Sequence, residues 1–177
     1  IATVTAQIAS ALAALNQHGI RHGDIKPENV LVEARESGPY ATLIDFGLAT
    51  RTEHLGNQGG TPRFMAPEAL EARAGLPSDI YSLAATIAHA LGEILPTGLG
   101  QPISSGRFAS ELKAMSHPNP AKRPTAAQVF ELFVVHAAEQ SQDELQQLQD
   151  TGISGGPIGQ ESLLEQIQIQ LGEAKMK

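Results

Sequence analysis

Two short apolar runs, NVLVEA at residues 29–34 and YATLIDF at residues 40–46, are joined around ESGPY, whose Ser-Gly-Pro is turn chemistry. Read as strands they make a hairpin, and a hairpin returns the chain to the place it left. Asn29 at the start of the first run and Asp45 near the end of the second are therefore expected at one end of the pair. Asp24, in the polar loop HGDIKPEN just upstream, joins them. Two carboxylates and an amide carbonyl brought together are hard oxygen ligands of the kind that suit Mg²⁺ and a polyphosphate. Lys26 in the same loop offers a point charge for a transferring phosphoryl group. Each short motif alone is also what a solvated turn looks like. Order and spacing raise the reading above that.

Around the hairpin the pattern is helical. Ile1, Val4, Ile8, Leu12 and Leu15 form one stripe that Gly19 ends. Residues 47–61 are rich in Gly and Thr and read as a long irregular loop. Ile80, Leu83, Ala84, Ile87 and Leu91 line a second helix, for which Ser78 is the expected N-cap. Residues 96–106 read as loop and 107–116 as a short helix, broken by HPNPAKRP. Thr125 with Gln128 is a capping-box signature, opening a helix to about His136. Past Glu139 the composition turns to Gln, Asp and Glu, and DTGISGGPIG is a linker by composition. Leu164, Ile167 and Leu171 put a last amphipathic helix in the tail, open to self-association, although so short a helix is marginal alone in water. The expected division is residues 1–139 as one lobe and 140–177 as linker and helix.

Composition bounds the rest. Hydrophobic residues make up 41% of 177, the level of a globular domain. Net charge is 12 − 19 = −7, which argues against nucleic acid or an anionic membrane as the main partner. With no Cys, disulfides, thiolate metal sites and cysteine nucleophiles are excluded. No apolar run approaches ~18 residues, so no membrane span is expected. No leader is visible, and a chain starting at Ile1 rather than Met points to further sequence upstream. A cytoplasmic address is the default expectation.

In order along the chain, HGDIKPEN, IDFG, GTPRFMAPE, SDIYSLA and NPAKRPT resemble the signature set of the eukaryotic-type serine/threonine protein kinases, over residues 1–138. The resemblance implies the C-terminal lobe of that fold, mainly α with a small β-hairpin. It implies ATP and Mg²⁺ as cofactors and a protein substrate with a Ser or Thr acceptor. Asp24 would take or orient the proton of the substrate hydroxyl, Lys26 would hold the γ-phosphate, and Asn29 and Asp45 would ligate the metal. Thr61 would lie by the acceptor site. Glu68 would pair with Arg123, Asp79 would hold the catalytic-loop backbone, and His22 and Phe46 would pack as core residues.

Departures from the family qualify this. Gly23 stands where many members have an Arg that binds a phosphate on the activation segment, so turnover is expected not to need phosphorylation at Thr50, Thr52 or Thr61. Ala84 replaces a Gly after DIYSL, a change that a helix tolerates. The stretch from Asp79 to Arg123 looks short for the family. The Gly-rich phosphate loop, its Lys and its partner Glu are absent, so an N-lobe is expected from upstream or from another chain. Small-molecule kinases of the aminoglycoside and choline type also use an HGD…N loop, and Gly23 fits them, but GTPRFMAPE and SDIYSLA do not. A non-catalytic kinase-fold scaffold is the third reading.

Overall fold

The computed structural model describes residues 1–52, 59–92 and 106–150. Five helices and two small sheets order as α1 (Ala2–Gln17), β1 (Ile20–Arg21), β2 (Val30–Arg35), β3 (Gly38–Leu43), β4 (Thr50–Arg51), α2 (Pro67–Leu70), α3 (Leu76–Ala90), α4 (Ala109–Met115) and α5 (Ala126–Asp150). The described part is mainly α with a small hairpin. None of its helices is long and apolar enough to cross a membrane. The tail carrying Leu164, Ile167 and Leu171 lies outside the described residues.

Helix α1 buries Ala2, Thr5, Ala6, Ile8, Ala9 and Leu12, while Ile1 stays exposed. The buried face is thus narrower in side-chain volume than the apolar stripe, and its small residues let α1 lie close against α5, its main partner. Helix α3 is buried on most of its circumference, from Ser78 to Ala88, and forms the centre of the core with Phe108, Leu112, Met115, Val129 and Phe133.

Strands β2 and β3 pair antiparallel from Val30↔Leu43 to Arg35↔Gly38, so the turn is only Glu36–Ser37, and Gly38 adopts the φ of +101° that follows it. Pro39 carries no N–H, and its carbonyl accepts from Gln7 Nε2 at 3.2 Å. The N–H of Ala41 donates to Gln7 Oε1 at 2.6 Å. One amide side chain of α1 therefore satisfies the outer edge of β3 and fixes the hairpin to the helix.

Three expectations are corrected here. Ser78 is not the N-cap of α3: the cap is Gly75, and Ser78 stands at the third helical position, where its hydroxyl accepts from the Gly75 N–H at 3.0 Å. Pro77 is the reason, since its fixed φ suits a first turn and draws the start forward. Helix α5 does not stop near His136 but continues to Asp150. Gln, Glu and Leu are good helix formers, and no Gly or Pro intervenes before Gly152. Within the loop expected at residues 47–61, Thr50 and Arg51 pair with Arg21 and Ile20. The capping box is present as read: the Thr125 N–H donates to Gln128 Oε1 at 2.9 Å, and the Gln128 N–H donates to Thr125 Oγ1 at 3.2 Å.

Candidate active site

The loop between β1 and β2 carries the polar residues, closed by a 3₁₀ turn at Pro27–Asn29. Asp24 is its hub. Oδ1 accepts from the Thr61 N–H and Oγ1, each at 3.0 Å, and Oδ2 accepts from Lys26 Nζ at 2.6 Å and Asn29 Nδ2 at 3.2 Å. Lys26 Nζ also donates to Thr61 Oγ1 at 3.1 Å. Burial pushes the Asp24 carboxyl up, but the Lys26 and Thr61 hydrogen bonds outweigh it and hold the group below its ordinary value. Lys26 is held above its own, first by its hydrogen bond to Asp24. Both groups are therefore ionised at neutral pH.

Asn29 gives its amide nitrogen to Asp24, also donating to the Asp24 carbonyl at 2.8 Å, which leaves the amide oxygen as the atom for a cation. Asp45 follows β3, tied to this loop by the Ile44 N–H donating to the Asn29 carbonyl at 2.9 Å. Its φ is +61°, a left-handed conformation uncommon outside Gly, and its Oδ1 accepts from the Gly47 N–H at 3.1 Å. The Asp45 charge reaches both Lys26 and His22. Asp24, Lys26, Asn29 and Thr61 are thus in direct contact, with Asp45 beside them.

Among the described residues, no group of three or more His, Cys, Asp or Glu side chains could hold a metal ion by itself. The donor set here, one exposed carboxylate and one free amide oxygen, instead fits Mg²⁺ arriving with a polyphosphate, which supplies the remaining oxygens.

Behind the loop, His22 is fully buried. Its Nε2 lies 3.1 Å from the Ile44 carbonyl, an acceptor, while Nδ1 accepts from the Asp24 N–H at 3.4 Å, so the proton belongs on Nε2. Burial lowers the His22 pKa, keeping the ring neutral. Phe46 packs edge-on against it, ring centroids 5.0 Å apart. Phe46 is 51% exposed and covers the buried His22 at the surface.

Asp79 on α3 holds the loop backbone: Oδ2 accepts from the His22 N–H at 2.7 Å and Oδ1 from the Gly23 N–H at 3.0 Å. Burial pushes its carboxyl up to about 6, against the pull of those two N–H groups and the charge of Arg21. Folding raises this pKa, so the native chain binds the proton more tightly than the unfolded one. Through Asp79 alone, stability therefore rises as pH falls from about 6 toward 3.8. His22, with its lowered pKa, acts in the opposite sense below 6.5. The expected result is that Asp79→Asn removes the first contribution and leaves the second. Urea midpoints measured from pH 7 to pH 4.5 should then fall more steeply in the variant than in the parent. Parallel curves would refute the assignment.

Glu68 and Arg123 meet as a forked pair, Nη1 to Oε1 at 2.6 Å and Nη2 to Oε2 at 2.9 Å. Ser78 Oγ donates to the same Glu68 Oε1 at 2.8 Å. Sequence reasoning read Ser78 as a cap and did not single out Gln7; no local signal marks the part that either plays.

A protein kinase domain family model matches residues 1–106, more than half of the chain. With the loop, the hairpin and the Glu68–Arg123 pair in place, the chain belongs to the protein kinase family. It is 42% identical over 94 residues to the serine/threonine-protein kinase PknE of Mycobacterium tuberculosis, covering 50% of this chain and 16% of that protein. It is 37% identical over 99 residues to the serine/threonine-protein kinase pkn2 of Myxococcus xanthus, covering 51% and 12%. Against the serine/threonine-protein kinase PkaB of Streptomyces coelicolor it is 38% identical over 115 residues, covering 56% and 26%. The chain spans 12–26% of these relatives' own lengths.

Proposed function

We propose that the chain is the C-terminal lobe of a serine/threonine protein kinase, with residues 1–139 as the lobe and 140–177 as an appendage, working in the cytoplasm where ATP is supplied. The observation that supports this most is the Asp24 carboxylate held between Lys26, Asn29 and Thr61. Asp24, kept ionised, accepts the proton of an incoming Ser or Thr hydroxyl as its oxygen attacks the γ-phosphorus. Lys26, already cationic at Asp24, stands where it can pair with the phosphoryl oxygens. The Asn29 amide oxygen and the Asp45 carboxylate are the residues to hold Mg²⁺. Bound with ATP, that ion would neutralise charge on the phosphates. Thr61 spans Asp24 and Lys26, so it lines the acceptor position and keeps both side chains pointed at it.

Nucleotide binding needs more than this lobe. The hairpin exposes Leu31 and Tyr40 on one face, with Ile44 just beyond β3 also exposed, an apolar surface suited to a covering N-lobe from upstream sequence or another chain. Residues 1–177 alone are therefore expected to bind ATP more weakly than micromolar. Calorimetry with ATP and Mg²⁺ checks this, and micromolar affinity would overturn it.

The activity itself is tested by incubating the intact protein with Mg-ATP and a generic basic protein, then mapping phosphate by mass spectrometry. Phosphoserine or phosphothreonine on the protein supports the reading. Transfer to an aminoglycoside or choline instead would favour the small-molecule alternative, and no transfer would favour a scaffold.

A further inference from the structure

Helix α4, the 3₁₀ turn Pro120–Lys122 and the first half of α5 line an open cavity of about 480 Å³. Its polar walls are already engaged. Arg123 donates to Glu68 and to the Pro77 and His117 carbonyls. Glu111 accepts from Ser110 and meets His136 Nε2 at 3.0 Å, and Gln128 Oε1 accepts from the Thr125 N–H. Lys122 is exposed, and a side chain of that kind keeps its charge in water. What the cavity offers an occupant is therefore apolar contact with Ala114, Met115, Pro124 and Leu132.

Leu132 belongs to a stripe. Gln128, Leu132 and Val135 stand at i, i+4 and i+7 on α5, so they share one face. The core takes a neighbouring stripe, Ala126, Val129, Phe133 and Ala137, and leaves this one outside. Leu132 is 39% exposed and Val135 50%. Two branched aliphatic side chains standing in water at the edge of an apolar cavity mark a surface built to be covered.

The tail of the same chain carries the matching pattern. Leu164, Ile167 and Leu171 are spaced three and then four. Laid antiparallel to α5, that order becomes four and then three, the spacing of Gln128, Leu132 and Val135. Leu171 then falls on Gln128, Ile167 on Leu132 and Leu164 on Val135. Residues 162–172 carry a single charge, Glu165, so nothing but this one carboxylate must stay in water. The tether also fits. From Asp150 back to the level of Val135 is ~22 Å along α5, and a neighbouring helix lies ~9 Å to the side, a span of ~24 Å. Residues 151–163 include four glycines, and thirteen residues of such composition have a mean reach of ~18–22 Å. A tether whose reach is close to its span gives the highest effective concentration, an advantage that no second copy has.

We propose that residues 163–171 fold back as a helix antiparallel to α5 and cover the cavity between α4 and α5 with Leu164, Ile167 and Leu171. A helix this short is marginal alone in water, so its order comes from the docking itself. The inference is independent of the roles assigned to Asp24, Lys26, Asn29 and Asp45.

The test uses the intact protein with a pair of introduced cysteines, since residues 1–177 hold none. Val135→Cys is combined with Leu164→Cys. Equal amounts of ordinary and ¹⁵N-labelled protein are mixed at low concentration and oxidised mildly, and the linked peptides are sorted by mass spectrometry. A link within one chain is expected, formed about tenfold faster than in a control pairing Leu31→Cys with Leu164→Cys. Equal rates would overturn the proposal. Links between labelled and unlabelled chains in place of the internal one would give the face to a second copy and overturn it as well. Amide hydrogen exchange reads the same contact without cysteines: residues 163–171 should be protected in the parent and lose that protection in Leu132→Asp. If that variant does not fold, Ile167→Asp breaks the contact from the tail and should slow the internal link to the rate of the control. An unchanged link there, or unchanged protection in folded Leu132→Asp, would refute the docking.

Discussion

Asp24→Asn is expected to lower the turnover of the intact protein about a thousandfold, the scale of a lost general base, with the KM for ATP nearly unchanged. The substitution preserves shape and still accepts at one oxygen. What it removes is the negative charge that Lys26 and Thr61 hold in place from opposite sides. An amide there cannot take a proton from a substrate hydroxyl, and it leaves the Lys26 ammonium without its 2.6 Å partner. A loss shared equally between turnover and ATP affinity would instead mean that the nucleotide site had been disturbed. A variant with less than a tenfold loss would sink the role assigned to Asp24. The readout is initial-rate phosphate transfer to a basic protein at saturating Mg-ATP, with circular dichroism confirming that the fold survives.

Breaking the Glu68–Arg123 pair is expected to cost about 3–5 kcal/mol of stability, the range for uncovering a buried charge. The Arg123 side chain is 0% exposed and the Glu68 side chain 11%. Arg123 also donates from Nε to the His117 carbonyl and from Nη1 to the Pro77 carbonyl, each at 2.9 Å. One guanidinium therefore joins α2, the start of α3 and the loop leading to α5. Burial pushes the Glu68 carboxyl up, but the hydrogen bonds from Arg123 and Ser78 bring it below its ordinary 4.5. Its contribution is complete above that value and disappears as pH falls through the lower native one. Urea unfolding of Arg123→Ala and Glu68→Ala at pH 7 measures the loss, and the gap to the parent should narrow in strong acid. Arg123→Lys should recover only part, because an ammonium cannot present two parallel N–H donors. A cost under 1 kcal/mol for either alanine variant would contradict the account.

Much of this was readable before any coordinates. The hairpin followed from two apolar runs and a turn, and with it the place of Asn29 beside the end of β3, just ahead of Asp45. The Thr125–Gln128 box was legible because its partners lie within one helical turn. What stayed hidden depended on contacts far apart in sequence or on elements too short to show a period. A two-residue ladder carries no alternation, so the pairing of Arg21 with Thr50 could not be read. Ser78 resembled a cap because its type favours that place, but Pro77 decided where the first turn begins. The extent of α5 was missed because a Gln-rich, acidic stretch suits both a linker and an exposed helix. The packing of Phe46 on His22 was implied by the family resemblance alone, and no local pattern marks it.

The hairpin has one more consequence. Leu31 and Val32 are consecutive, hence on opposite faces, and each is 49% exposed. Along β3, Gln7 already occupies the outer N–H and carbonyl, whereas β2 pairs with no second strand among the described residues. A ribbon with one open margin can join a copy of itself once and then has nowhere to add a third. Crowded samples of this lobe would therefore gather as closed pairs, and fibril growth would require Gln7 to let go first.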